Sequence, residues 1–208
     1  FNVVLPAPPA GAVEVQSFAV WNWLLGGPAP ATDTIAINGA AVTGNLVGQG
    51  QPDLCWGKTG GVTYLADVTG MLLPGAANTI GGACDRALGA DPNALGEGIT
   101  LLHLFTVPGG VTREVDVWVG YTSTESGPAA GAAEAGLGLS SPYGGGPAHF
   151  LLNALDGQRA AGDNLVVNGF NASGVLAGSA GPGDTWLGQL GPRPHSNLYD
   201  AVEDDQIG

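Results

Sequence analysis

Residues 33–56, DTIAINGAAVTGNLVGQGQPDLCW, return at 163–186 as DNLVVNGFNASGVLAGSAGPGDTW, aligned without a gap. Eight of the 24 positions are identical. Glycines match easily by chance in a chain that holds 37 of them, so the register rests on Asp33/Asp163, Asn38/Asn168, Pro52/Pro182 and Trp56/Trp186. A repeat of this kind constrains the fold before any other reading, because both copies are built to adopt the same unit. Inside each copy an Asn-Gly pair separates short apolar runs. Asn-Gly suits a type I′ turn, which needs positive φ at both central residues, so each copy reads as a β-hairpin. The expectation is an all-β fold with internal duplication.

The rest of the chain reads the same way. Gly (37) and Pro (15) make up a quarter of the 208 residues and interrupt almost every helical window. Period-2 patterns survive. In VEVQSFAVWNW (13–23), alternation places Val13, Val15, Ala19, Trp21 and Trp23 on one face. ITLLHLFTV (99–107) reads as a fully buried strand, and Pro108-Gly109-Gly110 as a turn into VTREVDVWVGY (111–121). There Val111, Val115, Val117 and Val119 face one way, and Thr112, Glu114, Asp116 and Trp118 the other, which predicts a hairpin with the strand before it. The expected division is an N-terminal strand with a Pro-rich spacer at 1–11, a first β lobe at 12–121, a Gly/Ala/Pro-rich connector at 122–147, and a second, incomplete β lobe at 148–208.

Charge narrows the partners. Five basic residues face 18 acidic ones, a net charge of -13, which repels phosphate backbones and excludes nucleic acid as a partner. No run of 18 apolar residues offers a membrane span. Cys55 and Cys84 stand without a C-x-x-C or Cys/His cluster, so a metal site on them is poorly supported. A secreted setting fits a disulfide between them, contributing ~3.5 kcal/mol in the chain-entropy model. Two buried free thiols are the alternative. The one sequon, Asn171-Ala172-Ser173, is a candidate glycosylation site in that setting. If the protein is secreted, Phe1 is the expected first residue after signal cleavage.

Catalytic signatures are sparse. Metalloprotease, phosphate-loop and nucleophile-elbow motifs do not occur. His103, in the middle of LLHLF, reads as a satisfied core histidine, and His149 and His195 as loop residues. Glu114 and Asp116 share a strand face in this reading, but a solvated or cross-strand role outweighs paired-carboxylate glycoside chemistry. Calcium, which takes oxygen ligands from acidic loops, has candidates in Asp91, Asn93 and Glu97 and in the Asp204-Asp205 pair. Trp21 and Trp23, two apart, read as core residues, with a sugar-stacking platform as the alternative.

The order of an aromatic strand, Asn-Gly, ADVTGMLLPGAANTI (66–80) and GEGITLLHLFTVPGGVTREVDVWVGY (96–121) resembles secreted bacterial and archaeal cell-surface domains of unassigned function. Asp67-Val68-Thr69, Asn78, the strand from Ile99 and Arg113 carry the likeness. The resemblance implies a jelly-roll-like β-sandwich at a cell surface and no enzymatic activity.

The chain opens FNVVLPAPPAG, an apolar strand followed by a stiff spacer. Pro-rich segments extend at ~3.1 Å per residue, so this arm can reach beyond its own lobe. Exposed sheet edges pair with strands. The expectation is a structural subunit that polymerises head-to-tail by donor-strand exchange, with Phe1, Val3 and Leu5 as the inserted side chains and a second copy as the partner. The alternatives are that FNVVL pairs in its own sheet, and that the chain is a monomeric cell-surface adhesin or carbohydrate-binding module, with or without calcium.

Overall fold

The computed structural model of the protein describes residues 2–25, 33–50, 59–83, 94–121, 138–142, 150–155, 166–167, 170–171, 176–177 and 196–201. Every regular element among them is a strand, and every pairing is antiparallel. The expected all-β class is therefore the observed one. Among the described residues no helix is long and apolar enough to cross a membrane. The chain divides into two compact units, Phe1–Leu137 and Gly138–Gly208, and the division falls inside the stretch 122–147.

The first unit holds β1 (Asn2–Val4), β2 (Val13–Leu25), β3 (Thr34–Ile37), β4 (Ala40–Thr43), β5 (Asn45–Gly50), β6 (Gly60–Asp67), β7 (Ala77–Gly81) and β8 (Ala94–Thr106). They form two four-stranded sheets, ordered β1-β7-β3-β4 and β5-β6-β2-β8. Alternation makes each sheet apolar on one face, and both faces meet in one core. The first sheet contributes Ile35, Ile37, Val42 and Ile80, the second Ala19, Trp21, Trp23 and Ala66. Each fully buried isoleucine contributes about 1.5–3 kcal/mol. Trp21 stacks on Tyr64 with ring centroids 5.8 Å apart. The benzene edge of its indole lies against Gly44, where any Cβ would overlap the ring.

The Asn-Gly hairpin is formed as its chemistry requires. Ile37 pairs with Ala40, and between them Asn38 and Gly39 take φ of 51° and 82°, the left-handed values of a type I′ turn.

Three strand readings need correction. Val13 and Val15 do not share the buried face of β2; they are 58% and 57% exposed. A bulge between Glu14 and Gln16 inserts one residue and breaks the alternation there. β8 is not fully buried: residues 99–104 are half-buried and Phe105 is 40% exposed, because β8 lies at the end of its sheet. The third correction concerns 111–121, which forms no ladder. The turn before it is present, with Gly110 N–H donating to the Val107 carbonyl at 2.8 Å. The segment then leaves β8 and ends over the opposite edge of the sheet, where Tyr121 lies on Gly48 and Gly50 of β5 and Gly61 of β6. A Cβ on any of the three would collide with Tyr121. These glycines make a trough on the outward face, the face that also carries the buried Asn22, Leu24 and Thr63. Glu114 and Asp116 consequently sit on no strand face.

The second unit, taken by itself, holds β9 (Phe150–Leu155), β10 (Val166–Val167), β11 (Phe170–Asn171), β12 (Leu176–Ala177) and β13 (Ser196–Ala201). β10 and β11 pair as Val167↔Phe170, the positions aligned with Ile37 and Ala40. A three-stranded sheet runs β12-β13-β9, the order in which β5-β6-β2 runs in the first unit.

Candidate functional site

β1 carries Val3, one of the three residues expected to insert into a neighbour, and Leu5 follows directly after it; the structure seats both against the chain's own core. β1 pairs with β7 through Asn2↔Thr79, Val3↔Asn78 and Val4↔Ala77. Alternation turns Val3 and Leu5 inward: Val3 packs on the core and Leu5, 9% exposed, belongs to it. Asn2 and Val4 face outward, Val4 at 62% exposure. Phe1 lies outside the described residues. The arm is thus not detached within a single chain. β7 would otherwise present unpaired N–H and C=O groups, and the core would present an open apolar edge; β1 covers both.

The ends of the strand are fixed by separate contacts. The Thr79 hydroxyl donates to Asn2 Oδ1 at 3.1 Å, and Gly75 N–H donates to the Leu5 carbonyl at 3.1 Å. Beyond Leu5 the spacer turns, with Ala12 N–H on the Pro9 carbonyl at 3.0 Å and Gly11 at φ 79°. Ala7 lies 3.1 Å from the position a Cβ on Gly75 would take. β1 is therefore a three-residue edge strand on a proline-rich tether.

The floor under β1 contains a polar residue where an apolar one is the rule. Asn78 is completely buried and faces inward, opposite Val3. Its burial is tolerated because its amide is satisfied. Oδ1 accepts from Leu73 N–H at 2.8 Å and from Asn38 Nδ2 at 3.0 Å; Nδ2 donates to the Leu73 carbonyl at 3.1 Å and the Ala76 carbonyl at 3.3 Å. Sequence reasoning missed this role. The available signal was an Asn at an inward position of the alternating run ANTIG.

A second polar cluster lies where the bulge turns Glu14 toward β8. The Ser17 hydroxyl donates to Glu14 Oε1 at 2.5 Å and lies 2.9 Å from His103 Nδ1. His103 Nδ1 is 3.4 Å from Glu14 Oε1, and Gly70 N–H donates to Glu14 Oε2 at 3.0 Å. Ser, His and Glu together invite comparison with a hydrolase triad, but the connectivity differs. In a triad the serine gives its proton to histidine; here the carboxylate takes it, which leaves His103 Nδ1 as the donor. Ser17 is also completely buried, out of reach of a substrate. The cluster is a clamp that ties β2, β8 and the 68–71 turn. Next to it, Thr69 Oγ1 accepts from Ser17 N–H at 3.0 Å and donates to Asp67 Oδ1 at 2.6 Å. The Thr69 hydroxyl and amide, with Gln16, hold the Asp67 carboxyl below its ordinary value of 3.8.

The other expected site residues fall as follows. Trp21 and Trp23 are buried, at 0% and 3% exposure, and their indole N–H groups meet no acceptor. Glu97 lies in β8 between Gly96 and Gly98, which pair with Trp23 and Asn22, so it is the extra residue of a bulge. Asn171 lies in β11. Cys55, Cys84, Asp91 and Asn93 lie outside the described residues, as do Trp56, Trp186, His149, His195, Asp204 and Asp205. Among the described residues no group of three or more His, Cys, Asp or Glu is placed to hold a metal. The chain matches no family model, no curated protein and no solved structure.

Proposed function

We propose that this chain is a structural subunit of an extracellular filament, assembled head-to-tail by exchange of β1 between copies. The observation that carries the reading is the seating of β1: an edge strand of three ladder residues, two inward aliphatic side chains, and a proline-rich tether behind it. Every contact that β1 makes in its own sheet is available on the β7 of a second copy. Exchange then conserves contacts and is opposed mainly by the entropy of association. A one-way exchange leaves each copy with a donor at one end and an acceptor at the other, and such contacts propagate.

The rest of the proposal concerns setting and form. The two units are duplicated lobes of jelly-roll type; the matching order of β12-β13-β9 and β5-β6-β2 supports the duplication. The protein is secreted, Cys55 and Cys84 are bonded, and calcium, if bound, uses Asp91, Asn93 and Glu97. The adhesin or carbohydrate-binding alternative drew on Trp21 and Trp23 as a sugar platform. Their burial removes that support.

The test is negative-stain electron microscopy of the full chain beside a variant lacking residues 1–5, each with calcium and with chelator. Filaments from the full chain and none from the deletion support the proposal, and loss of filaments in chelator supports the metal. Monodisperse particles from both proteins refute it.

A further inference from the structure

We infer that the edge of β7 is a preformed receptor for an extended peptide carrying aliphatic residues at two alternate positions, which a second copy of this chain supplies through residues 2–7. The inference rests on the strand-exchange reading for its choice of partner, but the receptor is argued from bonds that do not involve β1.

Those bonds lie on the far side of β7. Asn38 N–H donates to the Thr79 carbonyl at 2.8 Å, and Thr79 N–H returns to Asn38 Oδ1 at 2.9 Å. Asn38 Nδ2 also donates to the Met71 carbonyl at 2.9 Å. The Asn78 amide closes the 73–76 turn on itself through Leu73 and Ala76. Met71 N–H on the Val68 carbonyl, 2.9 Å, and Ala76 N–H on the Leu73 carbonyl, 3.2 Å, shape the remainder. The hairpin turn and two asparagine amides therefore hold the acceptor strand and its adjoining turns. When β1 leaves, the ladder, the Thr79–Asn2 bond and the Gly75–Leu5 bond are lost, and the scaffold beneath them keeps its partners.

The same geometry states what the receptor selects. An amide at the Asn2 position meets Thr79. Aliphatic side chains at the Val3 and Leu5 positions enter the core, where a charge would be buried without a partner. The Val4 position tolerates any side chain, since it faces water. At the Ala7 position the chain passes over Gly75, where a Cβ would come within 3.1 Å of Ala7, so the receptor needs glycine at 75. The occupant reads as Asn-aliphatic-any-aliphatic, which this chain carries as NVVL.

The experiment uses the full chain with Leu5→Asp, whose own strand cannot fill the slot, and a fluorescent peptide FNVVLPA. Anisotropy titration is expected to show saturable uptake, about tenfold or more weaker for a peptide carrying Val3→Asp and Leu5→Asp. Amide hydrogen exchange at Asn38 and Thr79 is expected to stay slow in the variant. Fast exchange there, or no uptake by a folded variant, overturns the inference. Should Leu5→Asp fail to fold, wild-type protein with a protease site between Ala10 and Gly11 is cleaved after folding and challenged with excess peptide. Replacement of its strand by the labelled peptide supports the receptor, and unfolding on loss of the strand overturns it. Uptake without filaments in the microscopy defeats the filament reading and leaves the receptor standing. Filaments without uptake do the reverse.

Discussion

Two residues show how much of this protein rests on single polar atoms. Ser17 is buried, yet its hydroxyl serves Glu14 and His103 at once. Ser17→Ala removes the bridge and leaves a carboxylate oxygen and an imidazole 3.4 Å apart with no group between them. Losing hydrogen bonds to partly buried polar and charged groups costs about 1–3 kcal/mol, so a fall in unfolding free energy of that size is expected, read as a lower urea midpoint with an unchanged slope. Asp67 makes the second case. Its carboxyl is held below 3.8 by Thr69 first and Gln16 second, so it is ionised more readily in the folded chain. A depressed folded value means that its contribution is present above the unfolded value and is lost as pH falls through the folded one. Carbon-detected titration of Asp67 should give a midpoint below 3.8, and Thr69→Ala should move it upward. A midpoint unchanged by Thr69→Ala would show that Thr69 is not the cause. The Ser17 cluster was not legible in the sequence, because Ser17 and His103 meet only after β2 and β8 have paired.

At the scale of elements, what was legible was local. Asn38-Gly39 announced its turn because two positive φ values are a property of those residues in that order. Trp21 and Trp23 announced a core strand through alternation and size. What failed was any inference that assumed alternation implies a ladder. VTREVDVWVGY alternates as well as any strand here, yet it forms no ladder and ends with Tyr121 in the trough of Gly48, Gly50 and Gly61. No local signal distinguishes glycines that seat a distant ring from glycines that merely turn a chain. Gly61→Ala should therefore behave unlike a usual strand substitution, in which replacing glycine stabilises. Its Cβ would overlap the Tyr121 ring, so a loss of about 1–3 kcal/mol is expected, with faster amide exchange across 111–121. In a Tyr121→Ala background the same substitution should cost little, because the colliding ring is gone. Additive losses in the double variant would show that the trough does not seat the ring.

For the whole molecule, the decisive question is whether β1 belongs to one chain or passes between chains, and the contacts in the sheet are identical in both cases. Bulk stability therefore cannot separate them, but connectivity can. Val4 and Ala77 are directly opposed in the β1–β7 ladder, and both face outward. Opposed side chains on antiparallel strands hold their Cβ atoms about 4.5–5.5 Å apart, close to the reach of a disulfide. Two proteins are made, one with Val4→Cys and one with Ala77→Cys, mixed, and oxidised under assembly conditions. A strand that stays in its own sheet keeps each new cysteine beside an unmodified partner, and no bond between residues 4 and 77 forms. A strand that passes to a neighbour joins one variant to the other. Mass mapping of a 4–77 linkage is therefore the expected result, with the yield limited by the share of mixed junctions. A control with Ala76→Cys in place of Ala77→Cys tests register, because a one-residue slip would turn Val3 and Leu5 out of the core. Linkage at 77 and not at 76 would show that the strand is received between copies in the register seen within one chain. Absence of any linkage from assembled filaments would place β1 permanently in its own sheet and assign the filament contact to another surface.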